Sequence, residues 1–192
     1  ELTDALQLVS DSHKLVGYQA SDLTSLELNR LKHATNYEES AENPALDVRG
    51  GLRILQHPEL FKMELTALSH IAKKMRRDIP VIVPGIRTVS ELLLVNQMLE
   101  EVNYAEKANL PLFLSIDLPS HLHQLMHLMR PAIKGIVVNS PRLHAAAYGI
   151  DPHNPELKHH YPFDHSLIRQ YLAQITAHLH QTLPIWFVTE NA

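Results

Sequence analysis

The sequence predicts an α/β fold in which short buried strands alternate with amphipathic helices. Four runs of mostly aliphatic residues are apolar almost throughout, as in strands that are buried on both faces of a parallel sheet. The segments between these runs carry apolar residues at helical spacing, and the connections are short. Strands and helices therefore alternate as βα units, which form either a closed barrel or an open doubly wound sheet.

The individual elements follow from the same patterns. Strands are predicted over residues 80–84, 111–116, 133–138 and 184–188, with a weaker strand over residues 14–19. Helices are predicted over residues 60–76, 88–107, 120–129 and 164–183. Ser90 and Asp164 are the expected N-caps, because short polar side chains accept hydrogen bonds from the free amides of a first helical turn. Residues 153–162 are polar and proline-flanked, which predicts a long loop.

Composition limits the class of protein. The 192 residues are 45% apolar, which is enough for one sizeable core, so residues 1–192 are expected to form a single domain. A net charge of −4 without a basic stripe argues against nucleic acid as a partner. No apolar run approaches the roughly 18 residues of a membrane span, and no signal-peptide pattern opens the sequence. We therefore expect a soluble, cytoplasmic protein.

Several kinds of functional site are excluded or weakened. The chain has no cysteine, so it has no thiolate metal site and no cysteine nucleophile. No Walker loop and no Gly-x-Gly-x-x-Gly motif occurs, which argues against a nucleotide site. His121, His123 and His127 are close enough to suggest a metal site, and the last two share one helix face. Because no acidic residue was identified beside them at ligand spacing, a solvated helix face is the favoured interpretation.

The most specific motif is Glu-Asn-Pro-Ala-Leu-Asp-Val-Arg-Gly-Gly-Leu-Arg, residues 42–53. Arg49 and Arg53 flank a glycine pair, and guanidinium groups suit bidentate capture of phosphate or carboxylate. Glycines at positions 50 and 51 would let the backbone approach a ligand closely. Taken alone, this cluster is more typical of an ordinary surface turn.

The whole string resembles the Asn-Pro-x-Leu-Gly-x-Arg-Gly signature in the C-terminal barrel of phosphoenolpyruvate-utilising enzymes. Residues 21–44 resemble, in residue types and spacing, the phosphoenolpyruvate synthase (pyruvate, water dikinase) branch. Residues 81–91, Val-Ile-Val-Pro-Gly-Ile-Arg-Thr-Val-Ser-Glu, resemble the family's Val-Met-Val-Pro-Phe-Val-Arg-Thr-x-x-Glu. Shorter similarities follow at residues 115–120, 135–140 and 148–155, so the resemblance covers most of the chain.

The resemblance implies a (β/α)₈ TIM-type barrel, incomplete in this chain, and a fragment of a larger protein. In the family this domain moves a phosphoryl group from a phosphohistidine to pyruvate enolate with Mg²⁺ as cofactor. The ATP-grasp and phosphohistidine domains of such an ATP-dependent phosphotransferase would belong to the parent protein. Pyruvate or phosphoenolpyruvate is the implied ligand, and homodimerisation is implied because barrels of this family commonly dimerise.

The implied substrate contacts are partly altered in this sequence. Gln19 stands where the family has a substrate arginine, which removes one charge-assisted contact. Asn139 is retained at its position beside the implied substrate. Arg49, Arg53 and Arg87 are also present, and each has either an anion-facing role or a structural one that pairs it with acids at the mouth of the barrel.

The implied catalytic and metal positions are altered further. Val188 or Thr189 corresponds to the catalytic cysteine, and neither is a competent acid or base near neutral pH. Asp117 corresponds to the metal-binding glutamate but is shorter by about one C–C bond, roughly 1.5 Å. Ser140 replaces the second metal carboxylate, so Mg²⁺ would be held weakly. Residues 137–138 are valines in place of a Gly-Ser pair, and we expect them to narrow the pocket.

Three functions follow from this pattern. The leading one is a phosphoenolpyruvate-synthase-like barrel domain that is catalytically impaired, so that this chain alone is inactive. The alternatives are a non-catalytic, anion-binding regulatory module and a dimerisation domain. If the parent protein were active, a group such as His144 or Glu190 would have to take over proton transfer.

Overall fold

The computed structural model describes residues 16–31, 48–129, 133–179 and 183–189, and these residues form the predicted α/β alternation. The strands are β1 (Tyr18–Gln19), β2 (Val81–Val83), β3 (Leu112–Ile116), β4 (Gly135–Asn139) and β5 (Ile185–Val188). They form one curled sheet in sequence order, and every neighbouring pair is parallel. The four strong strand predictions are confirmed. Of the weaker fifth strand, residues 18–19 are confirmed, and residues 14–15 lie outside the described ranges.

Helices connect the strands and cover one face of the sheet. They are α1 (Ser25–Leu28), α2 (Gly51–Gln56), α3 (Pro58–Met75), α4 (Val89–Glu106), α5 (Ser120–Leu128), α6 (Ser140–Tyr148), α7 (Pro155–His160) and α8 (His165–His178). The four predicted helices correspond to α3, α4, α5 and α8. Asp164 caps α8 as expected, because its carboxylate accepts hydrogen bonds from the amides of Ser166 and Leu167. None of the helices within the described ranges is long and apolar enough to cross a membrane.

Two local predictions are wrong, one about a helix cap and one about a loop. The N-cap of α4 is Thr88 rather than Ser90, because Thr88 has the extended backbone of a cap and its hydroxyl accepts from the amide of Glu91 at 3.2 Å. The predicted loop over residues 153–162 contains helix α7. Its start is set by the Asn154 side chain, which caps the first turn, and by a proline at the first helical position, where a fixed φ is favourable.

The two faces of the sheet are buried in different ways. The helix-facing side chains of the strands join the main core with apolar residues of α3, α4 and α5, among them Leu65, Leu92 and Leu125. On the concave face lies a second, smaller cluster of Ile82, Phe113, Val137 and Trp186. The rings of Phe113 and Trp186 lie 4.9 Å apart between centroids. Since both faces of the sheet are buried, successive residues of each strand are apolar, which explains why the strands appear in the sequence as continuous apolar runs.

Candidate functional site

The carboxyl ends of the strands bring three predicted site residues to one edge of the sheet. Asp117 follows β3 directly, Asn139 is the last residue of β4, and Val188 is the last residue of β5. Asn139 and Val188 are register partners in the parallel pair β4–β5. Gln19 ends β1 at the same edge and is exposed. Asp117, Asn139 and Val188 therefore converge at the carboxyl ends of their strands.

A cleft of about 550 Å³ opens at this edge. Arg49, Asp117 and Arg142 line it together with parts of segments 118–120 and 145–152. The cleft therefore combines two guanidinium groups with the carboxyl groups of Asp117 and Asp151. In barrels of βα units, this end is where ligands bind and chemistry occurs.

Arg49 lies at the cleft but already holds a carboxylate. Its Nε atom donates to Oδ1 of Asp22 and its Nη2 atom to Oδ2, each at 3.1 Å. The Nη2 atom also donates to the Asp22 backbone carbonyl at 2.8 Å. The Arg49 side chain is 19% exposed. This bidentate geometry is the one expected for an anion-binding arginine. An incoming anion must therefore share this guanidinium with Asp22 or displace it.

The glycine pair beside Arg49 has a different role from the one expected. A Cβ atom at Gly50 would lie 2.3 Å from the backbone oxygen of Pro84, and Gly50 has a φ of 54°. The amide of Gly51 donates to the same oxygen at 2.9 Å. The glycines therefore let the chain approach the end of β2, rather than a ligand, and this contact holds Arg49 at the cleft.

Arg142 belongs to the site and was not recognised from the sequence. Its Nη1 atom donates to the carboxylate of Asp22 and lies 3.1 Å from Oδ2 of Asp117. Its backbone amide donates to Oδ1 of Asn139 at 3.2 Å, so Asn139 is the N-cap of α6. The signal was present: Asn-Ser-Pro directly after a predicted strand indicates a helix start. It would have placed residue 142 in the first turn at the carboxyl edge.

Asp117 is fully buried at the base of the cleft. Its Oδ2 atom accepts from the amide of Gly85 at 3.0 Å and from Arg142 at 3.1 Å. Burial raises the pKa of Asp117 from its ordinary value of 3.8 to about 7, although the Gly85 amide and the charge of Arg49 act to lower it. The carboxyl group is therefore close to half protonated at neutral pH.

His121 is a buried neighbour of Asp117, so the interpretation of this histidine as part of a solvated face is wrong. The Asp117 amide donates to Nδ1 of His121 at 3.3 Å, and Nε2 contacts the carbonyl of Ile86. The proton therefore sits on Nε2. Burial lowers the pKa of His121, which keeps the ring neutral. His123 and His127 are exposed, as expected. The missed signal is the Asp-x-x-x-His spacing, which does place an acid beside His121.

Other predicted site residues lie away from the cleft. Arg53 is buried, and its guanidinium donates to the carbonyl of Leu23 and to the Ser25 hydroxyl at 3.4 Å. It is not among the residues that line the cleft. His144 is buried and packs between the rings of Tyr148 and Phe163, with centroids 4.8 and 5.2 Å away. Glu190 lies outside the described residues.

The valine pair at positions 137–138 divides between the two faces of the sheet. Val137 packs in the concave cluster with Phe113, whereas Val138 belongs to the helix-facing core. Only Val137 can therefore narrow the interior of the sheet, and the expectation for Val138 is wrong. The reason is strand geometry, since successive side chains point to opposite faces.

The donor set at the carboxyl edge does not fit the Mg²⁺ site that the resemblance implies. Oδ2 of Asp117 is already bonded to the Gly85 amide and to a guanidinium, and the Ser140 hydroxyl donates to the Val188 carbonyl at 2.6 Å. Mg²⁺ requires oxygen ligands in near-octahedral geometry. Among the residues that the structure describes, no group of three or more His, Cys, Asp or Glu side chains is placed to hold a metal ion.

Comparison with known proteins fixes the family. The family described as "PEP-utilising enzyme, PEP-binding domain", where PEP is phosphoenolpyruvate, matches residues 8–185. The chain belongs to this family. It is 22% identical over 169 residues to a probable phosphoenolpyruvate synthase of Methanocaldococcus jannaschii, a match that covers 87% of the chain. It is 32% identical over 117 residues, 60% of the chain, to a multiphosphoryl transfer protein of Xanthomonas campestris pv. campestris.

The matches also show how much of each relative the chain covers and which fold it shares with a solved structure. The aligned region spans 14% of the length of each of these two relatives. Among solved structures, a citrate lyase from Burkholderia xenovorans LB400 is similar with a TM-score of 0.51 at 18% identity, over 68% of this chain and 42% of that one. That neighbour is a TIM barrel, so the curled five-stranded parallel sheet matches part of a barrel of this type.

Proposed function

We propose that this chain is a phosphoenolpyruvate-synthase-like barrel domain that binds a small carboxylate or phosphate anion without converting it. The observation that carries the proposal is the cleft of about 550 Å³ at the carboxyl edge, lined by Arg49 and Arg142. Paired guanidinium groups at this end of a βα sheet suit planar or tetrahedral anions. Phosphoenolpyruvate and pyruvate are the first candidates, because the chain belongs to a PEP-binding family.

The charge balance of the cleft supports binding of an anion. Arg49 and Arg142 face two acids, Asp22 and Asp117. Because burial raises the pKa of Asp117 to about 7, this acid carries only part of a negative charge at neutral pH. The two guanidinium groups therefore carry more positive charge than the two acids that contact them carry negative charge, and the remaining acid of the lining, Asp151, is exposed to solvent. In a partly buried site Coulomb attraction to an anion is stronger than in water.

The fold supports placing the domain in a complete eight-stranded barrel. Five parallel strands in sequence order form the part of the sheet that the structure describes. In a (β/α)₈ barrel the neighbours of each strand are the preceding and the following strand. We propose that the described strands are part of such a barrel.

Loss of turnover follows from the residues at the implied catalytic positions. The chain contains no cysteine, and Val188 or Thr189 stands at the position implied for the catalytic one. General acid–base catalysis contributes about 10²–10⁴-fold to a rate. Ser140 cannot supply a carboxylate ligand, and its hydroxyl is bonded to the backbone of Val188. His144 is buried among aromatic rings outside the cleft lining, so it is not placed to replace the cysteine.

Two measurements test the proposal. Calorimetric titration with phosphoenolpyruvate and with pyruvate should show saturable binding that weakens in Arg49→Ala and is unchanged in Lys62→Ala, which removes an exposed charge from α3. ATP-dependent phosphoenolpyruvate formation by the full parent protein should be undetectable. The variant Val188→Cys/Ser140→Asp, which restores the implied cysteine and the implied second carboxylate, is assayed beside the unmodified protein. Robust conversion by the unmodified protein would contradict the non-catalytic part of the proposal, and the absence of binding would contradict the anion site.

A further inference from the structure

We infer that the guanidinium of Arg142 is the resident cation of the cleft and stands where the family resemblance implies a divalent metal. Its Nη1 atom lies between two carboxyl groups, that of Asp22 after β1 and that of Asp117 after β3. A cation held between carboxylates from two loops is the arrangement that a metal-bridged site would have. Here a side chain of the same polypeptide supplies the charge.

The position of Arg142 is fixed by the start of α6. Asn139 caps this helix through the Arg142 amide, and Pro141 lies in the first turn, where its fixed φ suits a helix. The Arg142 side chain is 22% exposed, and it runs from the helix start into the cleft. Burial lowers its pKa to about 10, so it remains fully charged at neutral pH.

The same geometry disfavours a metal ion at this position. A dication placed on Oδ2 of Asp117 would meet a like charge, because Nη1 of Arg142 lies 3.1 Å from this oxygen. The other oxygen, Oδ1, is buried and has no hydrogen-bond partner among the described residues. It lies 3.7 Å from Nδ1 of His121, on the protein side of the carboxyl group. Removal of the guanidinium should therefore uncover two carboxylates that can share a metal ion.

The consequence for ligand binding is independence from metal. Arg49 and Arg142 both line the cleft, so a carboxylate or phosphate can be held by two guanidinium groups. This part of the inference rests on the anion binding proposed above. The part that concerns Arg142 and metal does not, since it can be measured without any anion.

The test is a gain of metal binding, measured with Mn²⁺ alone by the electron paramagnetic resonance signal of the free ion. Mn²⁺ suits the probe because it prefers carboxylate and water oxygens, as Mg²⁺ does. The unmodified full chain should leave the signal unchanged. Arg142→Gln and Arg142→Ala should each bind Mn²⁺ with a Kd on the order of 10⁻³ M, the range of weak oxygen-ligand sites. Arg142→Lys, which keeps the charge, should not bind.

Two controls make the result specific. Arg142→Gln/Asp117→Asn should lose the gained site, because one of the two carboxylates is gone. Titration of phosphoenolpyruvate into the unmodified chain should give the same affinity with EDTA and with Mg²⁺. Mn²⁺ binding by the unmodified chain, absence of any gain in both folded Arg142 variants, or a gain that persists in the double variant would overturn the inference. Loss of phosphoenolpyruvate binding alone would overturn the proposed function and leave the assignment of Arg142 intact.

Discussion

Trp186 lies against the backbone of Gly17, so the first and the last strands of the described sheet meet through one side chain. A Cβ atom at Gly17 would lie 2.6 Å from Cζ3 of Trp186 and 3.3 Å from Cδ1 of Ile82. Gly17 directly precedes β1, and Trp186 lies in β5. In an eight-stranded barrel the first and fifth strands face each other across the interior, which is filled by side chains. A tryptophan opposite a glycine fills that space from one side.

Gly17→Ala should destabilise the fold through this contact. The added methyl group would overlap the Trp186 ring, and overpacking of this kind typically costs about 1–3 kcal/mol. The free energy of unfolding, measured by urea denaturation, should fall by that amount. Trp186→Leu provides space, so the double variant should lose less than the sum of the two single changes. Strict additivity would show that the two residues do not touch in solution.

Arg49 and Arg53 should separate into a ligand-binding and a structural residue. Arg49→Ala removes a guanidinium from the cleft and should weaken phosphoenolpyruvate binding about tenfold or more, since a charged hydrogen bond contributes about 1.5–3 kcal/mol. Arg53→Ala leaves the Leu23 carbonyl without this donor and should lower the free energy of unfolding by about 1–3 kcal/mol. Calorimetry and urea denaturation of both variants check this division. Weaker ligand binding in a stably folded Arg53→Ala would contradict it.

Asp22→Asn should strengthen anion binding. This change removes the carboxylate that occupies the fork of Arg49 and contacts Arg142, so the net positive charge of the cleft rises by one. We expect a gain in phosphoenolpyruvate affinity on the order of tenfold, which corresponds to about 1.4 kcal/mol. Glu101→Gln, on the exposed face of α4, controls for the change in total charge. Equal or weaker binding in Asp22→Asn would show that Asp22 supports the anion site rather than competing with it.

Asp117 should make the fold less stable as pH rises from about 4 to 7. The ordinary pKa of an aspartate, 3.8, applies to the unfolded chain, whereas the pKa of Asp117 in the folded chain is about 7. Between these two pH values the folded state holds a proton that the unfolded chain has released. Stability therefore falls with increasing pH, by on the order of 1 kcal/mol per unit. Asp117→Asn should flatten this dependence in urea denaturation at pH 4.5, 6 and 8. The exposed Glu156→Gln should not, and an unchanged slope in Asp117→Asn would refute the assignment.

The predictable part of this protein consists of its local patterns. The strands were recognisable because residues that face the helices, such as Val81 and Leu114, and residues on the concave face, such as Ile82 and Phe113, are all buried. The alignment of Asp117 with Asn139 at one edge followed from parallel topology alone. The pairing of Asp22 with Arg142 was out of reach, since it joins residues 120 positions apart and depends on how the loop after β1 and the start of α6 pack at the edge of the sheet. The burial of His121 was missed although the spacing from Asp117 indicated it.

The contact of residue 50 with the end of β2 has a consequence for redesign of the cleft. A Cβ atom at Gly85 would lie 3.3 Å from the Cα atom of Gly50, and the Gly85 amide is the backbone donor to Asp117. Two loops that are distant in sequence thus pack backbone against backbone. One carries Arg49, and the other carries Gly85, whose amide donates to Asp117. Grafting either loop alone from a relative would disturb both. Specificity at this cleft is therefore expected to change only through paired exchange of residues 48–51 and 84–86.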